Sequence, residues 1–153
     1  MFFLNPVEKL MENSLSQLYD AVILKHNSAP FNFEKRLTAQ HVVEAYNPLC
    51  GDKFKLFLDI EDDTIKKATF HGYGCAISKA ATSVLVHQIE GKNKVEAFDI
   101  LNNYLTALNT EGGHLAGESQ SFLAVRQYPE RLSCATLSWE AAQTFFENEN
   151  HKI

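Results

Sequence analysis

The stretch KFKLFLDIEDDTIKKATFHGYGC, residues 53–75, decides the fold of this chain. Residues 53–60 and 65–71 are two short runs rich in β-branched and aromatic residues with partial alternation, the pattern of strands that bury one face. Glu61-Asp62-Asp63 between them is short and polar, as a tight antiparallel hairpin requires. Residues 40–46 repeat the strand pattern upstream, so the expectation is a small three-stranded antiparallel sheet.

Outside the sheet the periodicity is helical. Asn5, Pro6 and Glu8 make a helix start, and Val7, Leu10, Met11, Leu15, Leu18, Val22 and Ile23 extend it over residues 6–26. Residues 27–36 combine Pro30 and two asparagines with two phenylalanines, an ordered connection rather than a flexible linker. After Gly72-Tyr73-Gly74, the small residues Ala76, Ser78, Ala80, Ala81 and Ser83 accompany Ile77, Val84, Leu85 and Ile89 in a helix that can approach its neighbours closely and that Gly91 ends. Further helices are expected over 95–108, 122–127 and from Cys134 to about residue 147. The glycine-containing loop 109–119 is the most mobile part by composition. The fold class is therefore α+β, three strands with about five helices, and 153 residues at 45% hydrophobic content make one domain, 1–153.

A formal charge of −5, with acidic and basic residues interspersed, gives no stripe for phosphate backbones or anionic lipids, so neither nucleic acid nor membrane is an expected partner. The apolar start lacks a basic opening and ends before a secretory core could form, and no stretch approaches the roughly 20 apolar residues of a membrane span. A soluble, cytoplasmic protein with reduced thiols is expected, since its three cysteines form no even-numbered disulfide framework.

Those cysteines carry the chemistry. Zinc accepts thiolate, imidazole or carboxylate in a tetrahedron, and three cysteines with one carboxylate would complete it. Cys50 lies two residues before Asp52, with Gly51 between them to let a loop turn both side chains to one centre. Cys75 follows a glycine turn and opens a helix, and Cys134 is read as opening another. There the positive helix end would lower a thiol pKa and favour the thiolate. A cysteine in an apolar run is commonly a buried small hydrophobe, but each of these borders a turn or an element end. The spacing alone is weak evidence, and Asp52 is drawn in only by its nearness to Cys50.

The run Asn47-Pro48-Leu49-Cys50-Gly51-Asp52, then Gly72 to Ser78, then Pro129-Glu130-Arg131-Leu132-Ser133-Cys134-Ala135-Thr136-Leu137-Ser138-Trp139, resembles the U-type iron–sulfur assembly proteins, the SufU/IscU/NifU N-terminal family. Residues 18–26 are similar to that family's opening helix, so the likeness covers nearly the whole chain. Scaffold members of the IscU branch carry a histidine where Ser133 stands and a shorter segment between the second and third cysteines. Both departures resemble the SufU branch.

The resemblance implies one zinc ion held by Cys50, Asp52, Cys75 and Cys134. It also implies a sulfurtransferase role: accepting persulfide sulfur on Cys50 from a SufS-type cysteine desulfurase for the iron–sulfur assembly machinery, with a partner histidine replacing Cys50 on the metal. Arg131 matches a family arginine and would hydrogen-bond or neutralise the freed Cys50 sulfur. The rival readings are a scaffold on which the same residues hold iron or a nascent iron–sulfur cluster, and a zinc ion that only staples the fold.

His71, four residues before Cys75, is the strongest rival ligand. His114 has no partner at ligand spacing, and His26, His41, His87 and His151 receive no role. No Gly-x-Ser-x-Gly elbow surrounds Ser78, Ser83 or Ser138, and no phosphate-cradling glycine motif exists.

Overall fold

The structure, a computed structural model, describes residues 19–151. Strands β1 (His41–Tyr46), β2 (Lys53–Glu61) and β3 (Thr64–Tyr73) form an antiparallel sheet in the order β1-β2-β3. Register follows from alternation. Ala45 stands opposite Phe54, Val43 and Phe70 opposite Leu56, and Ala68 opposite Leu58, all of them buried. A slip of one residue would turn this whole set to the other face. Asp62 and Asp63 both take positive φ, 52° and 62°, the turn geometry that matches the twist of a two-residue hairpin. At the far end of the sheet Gly72 faces Phe54 so closely that a Cβ would stand 2.2 Å from the Lys53 carbonyl, at φ +147°.

Around the sheet are helices α1 (Ala21–Ser28), α2 (Ala76–Ile89), α3 (Lys94–Leu108) and α4 (Pro129–Asn150), with a 3-10 helix at Gly117–Gln127. α2 packs on β3 and α4 on β1, and α2 also touches α1 and α4. The buried Ala80, Ala81 and Ser83 allow that approach. Polar groups at the α2–α4 contact are satisfied: Trp139 Nε1 donates to the Ala81 carbonyl at 2.9 Å, and the Thr82 and Ser138 hydroxyls bond at 2.7 Å. Tyr104 stacks on Trp139 with ring centres 3.5 Å apart and donates to the Ala135 carbonyl at 2.7 Å. Each large side chain so buried contributes about 1.5–3 kcal/mol.

Three expectations change. The helix read over 6–26 falls mostly on residues outside those described, and within them the chain turns at Tyr19 before α1 begins at Ala21. The Asp20 carboxylate caps this new start, accepting the Ile23 amide at 3.1 Å. The last helix begins at Pro129 rather than Cys134, because proline at the first position lacks only a donor that would be unpaired there anyway. The short helix expected over 122–127 is a longer 3-10 element. The loop before it is tied down: the Arg126 guanidinium donates to the carbonyls of Thr110 at 3.0 Å and Gly113 at 3.3 Å. Glu118 contacts His26 on α1. Burial opposes ionisation of Glu118, but the hydrogen bond and charge of His26, with the charges of His87 and Lys25, outweigh it and hold the carboxyl below its usual range. No helix among the described residues is long and apolar enough to cross a membrane.

Candidate metal centre

Cys50 and Asp52 come from the β1–β2 connection, whose shape is set locally. The Asn47 side chain accepts the Leu49 amide at 3.0 Å, the Gly51 amide reaches the Asn47 carbonyl at 2.8 Å, and the Asn47 amide reaches the Asp52 carbonyl at 2.9 Å. Gly51 sits at φ +79°, a conformation a side chain would resist. The turn leaves Cys50 exposed at its tip beside Leu49, which is 97% exposed, while Asp52 is folded inward to 4% exposure.

Asp52 is fixed by the next element. Its Oδ1 accepts the Cys75 amide at 3.1 Å. Its Oδ2 is buried without a hydrogen-bond partner. A buried carboxylate oxygen left without a donor is costly, and a cation satisfies it.

Cys75 caps α2, its sulfur accepting the Ser78 amide at 3.4 Å. Cys134 lies in the second turn of α4 and is buried. The helix-end argument therefore holds for Cys75 and fails for Cys134. Cys75 and Cys134 shift each other in opposite directions. The Cys134 hydrogen bond, followed by the Ser78 amide and hydroxyl, brings Cys75 down to about 5 against burial and the Asp52 charge. Cys134 moves the opposite way, raised by its bond to Cys75, by burial, and by the charges of Cys75, Asp52 and Cys50.

The ligand atoms of Cys50, Asp52 and Cys134 all lie within 4.8 Å of one another; the Cys75 sulfur is outside that group, and Cys75 is joined to it through its amide on Asp52 Oδ1 at 3.1 Å. Three of the four expected residues thus converge from a loop and a helix, with Cys75 on the adjoining helix cap. The donor set fits a borderline divalent cation, with soft thiolates and one harder carboxylate, and the orphaned Asp52 Oδ2 is the atom that most needs it. A divalent ion among three thiolates and a carboxylate leaves net negative charge. Arg131 is a cation whose surroundings include the centre: the negative charge of Tyr19, then that of Cys75 and Cys134, raises its guanidinium above its usual range.

His71 is elsewhere. It is exposed and stacks on Phe33, ring centres 4.7 Å apart, while its neighbour Phe70 points into the core. Strand alternation sends the two to opposite faces. His114 is exposed. Ser133 is exposed as well, so the position before Cys134 brings no imidazole to the centre.

Residues 18–144 match the family described as the NifU-like N terminal domain. The chain is 32% identical over 132 residues to the iron–sulfur cluster assembly scaffold protein IscU of Streptococcus pyogenes serotype M1, covering 84% of this chain and 82% of that protein. It is also 32% identical over 133 residues to the zinc-dependent sulfurtransferase SufU of Bacillus subtilis strain 168, covering 85% and 90%. Among solved structures, one described as an iron–sulfur cluster assembly scaffold for the SUF system, from Fervidobacterium islandicum AW-1, superposes with a TM-score of 0.77 at 31% identity over 84% of this chain and 96% of that one. The N-terminal part of a NifU-like protein from Brucella abortus superposes at 0.80 with 19% identity over 92% and 99%, a likeness of fold.

Proposed function

The chain belongs to the NifU-like N-terminal domain family of iron–sulfur cluster assembly, and from that premise we propose that it is a zinc-dependent sulfurtransferase with Cys50 as the sulfur acceptor. The observation that carries this reading is the asymmetry of the centre. Asp52 and Cys134 are buried and Cys75 is half-buried on a helix cap, but Cys50 is exposed on a turn. One sulfur of the set is presented outward while the rest are held.

Cys50, Asp52, Cys75 and Cys134 would hold the zinc, which when bound keeps the thiols ionised and quiets their nucleophilicity. The partner is a SufS-type cysteine desulfurase carrying a persulfide. Cys50 thiolate attacks the outer persulfide sulfur, a new Cys50 sulfur–sulfur bond forms, and the desulfurase cysteine leaves as thiolate. No net oxidation occurs. Arg131, beside Cys75 and Cys134, supplies positive charge where thiolate density changes. Leu49 next to the acceptor, with Tyr46 and Tyr73 also exposed, forms an apolar rim suited to docking a partner.

A second reading, a scaffold that holds a nascent cluster on the same residues, draws on the equal identity to an IscU scaffold. Ser133 favours the first, since an imidazole beside Cys134 would be the natural additional ligand for a cluster. The deciding experiment titrates zinc-loaded protein into a SufS-type desulfurase with cysteine and reductant and reads sulfide release, beside Cys50→Ala. Saturable stimulation lost in the variant supports the transferase. Absence of stimulation, with a cluster retained after anaerobic reconstitution with iron and sulfide, would replace it by the scaffold.

A further inference from the structure

His26, His87 and Glu118 are separated by 61 and 31 residues in sequence (87 − 26 and 118 − 87), yet their ligand-capable atoms all lie within 4.8 Å of one another. They come from three elements: the last turn of α1, the last turn of α2 and the first turn of the 3-10 helix. We propose that these three side chains form a second divalent-metal site, of the two-histidine, one-carboxylate class, suited to zinc.

The geometry is that of a prepared site. His26 is buried at 4% exposure, and its Nδ1 lies 2.6 Å from the Ser83 hydroxyl. Ser83 is itself held in place, its Oγ accepting the Phe31 amide at 2.7 Å. A histidine that ligates a metal through one nitrogen is commonly oriented by a hydrogen bond through the other, and Ser83 stands in that second position. Nε2 of His26 is aimed at Glu118 Oε2. The His87 ring lies against Phe31 with centres 4.3 Å apart, and its Nδ1 is 3.4 Å from Glu118 Oε1. Two donors bonded at about 2.0–2.2 Å to a tetrahedral ion stand roughly 3.3–3.6 Å apart, so the His87–Glu118 pair already has ligand spacing.

On binding, any proton held between His26 Nε2 and Glu118 goes to solvent, and coordinate bonds from His26, His87 and Glu118 replace their contacts with one another. The His87 side chain is 48% exposed, which gives the ion an entry path and leaves a fourth position for water. The site is distinct from the cysteines: Cys75 caps one end of α2 and His87 lies near the other, twelve residues or about 18 Å along the axis. Occupancy would fasten the Gly117–Gln127 segment to α1 and α2.

The test is zinc stoichiometry under a buffered zinc concentration, with Co2+ absorption as a second readout. Wild-type protein is expected to bind about two equivalents, and His87→Ala and Glu118→Gln about one each, keeping the sulfur-to-cobalt charge-transfer band. A Cys50→Ser/Cys75→Ser/Cys134→Ser chain should bind about one, with d–d bands and no sulfur charge transfer. If that chain does not fold, the two exposed-side variants decide. A single zinc in wild type, or a second zinc untouched by both His87→Ala and Glu118→Gln, overturns the proposal.

Discussion

Replacing Asp52 with asparagine should make the metal-free protein more stable while removing most of the zinc response of the cysteine centre. In the metal-free state Asp52 is 4% exposed, its Oδ1 is satisfied by the Cys75 amide, and its Oδ2 has no partner. It also opposes ionisation of Cys75, the sulfur that bears the thiolate. Asparagine keeps the shape and the Oδ1 acceptor, removes the charge, and turns the orphaned oxygen into an amide that can donate to sulfur. Relieving one unsatisfied buried acceptor stabilises by about 1–3 kcal/mol, and at this chain length each kcal/mol moves Tm by roughly 2–4 °C. The metal-free variant should therefore melt about 2–12 °C higher. With free zinc at 100 times the wild-type Kd of the cysteine centre, zinc there adds about 2.7 kcal/mol to wild type, whereas a variant whose centre binds roughly a hundredfold more weakly would gain only about 0.4 from it. Calorimetry with chelator and with buffered zinc reads both quantities. A chelated Asp52→Asn protein melting at or below wild type would mean the orphaned oxygen carries no cost. An equal zinc increment in both proteins would remove Asp52 from the ligand set.

Metal-free Cys75 should be alkylated at a rate that stays level on acidification until pH falls to about 5, with Cys134 nearly inert throughout, as read by mass spectrometry of labelled peptides. Because its folded pKa lies below the unfolded thiol value of about 8.5, the contribution of Cys75 ionisation to stability is full above that value and is lost as pH falls through the folded one. Metal-free wild type should accordingly lose stability relative to Cys75→Ser as pH drops from about 8.5 to 5. Gly74→Ala should cost about 1–3 kcal/mol and weaken zinc binding, since its Cβ would stand 2.4 Å from Ser78 Oγ, 2.8 Å from Phe54 Cε2 and 2.9 Å from Asp52 Oδ1. Unchanged Tm and zinc affinity would show that the cradle can yield. Leu49→Asp should leave zinc content and Tm as in wild type but raise the concentration needed to stimulate a desulfurase at least tenfold, and an unchanged titration would take Leu49 out of the docking rim.

The sheet, and the loop and helix cap that carry Cys50, Asp52 and Cys75, were legible because their signals are local. Phe54, Leu56 and Leu58 alternate within one strand, Asp62-Asp63 is a turn by composition, Cys50 borders Gly51, and Cys75 borders Gly74 and opens α2, whereas Cys134 lies inside α4. The misread boundaries had local signals too, but competing ones prevailed. The apolar periodicity running through Tyr19 and Asp20 masks the capping aspartate, and Pro129, which suits the first turn of a helix, stands five residues before the start expected at Cys134. What sequence could not show is any pairing made only by packing. His71 sat closest in sequence to Cys75 and proved to face away. His26, His87 and Glu118 meet only because α1, α2 and the 3-10 helix pack together.

That division between local and packed contacts also explains which ligand of the cysteine centre is free to move. Cys134 is held by α4, which is joined to α2 through Trp139 and Ala81 and through Thr82 and Ser138. Cys75 is held by the start of α2, and Asp52 by the Cys75 amide. Displacing any of these disturbs buried structure, where small shifts are resisted by close packing. Cys50 sits on a six-residue turn closed on Asn47, with exposed residues at its tip. On the proposed reading, a partner that contacts Leu49 would engage the exposed Cys50 sulfur while Asp52, Cys75 and Cys134 stay in place. This is the mechanical condition for a sulfur acceptor that reacts only when docked.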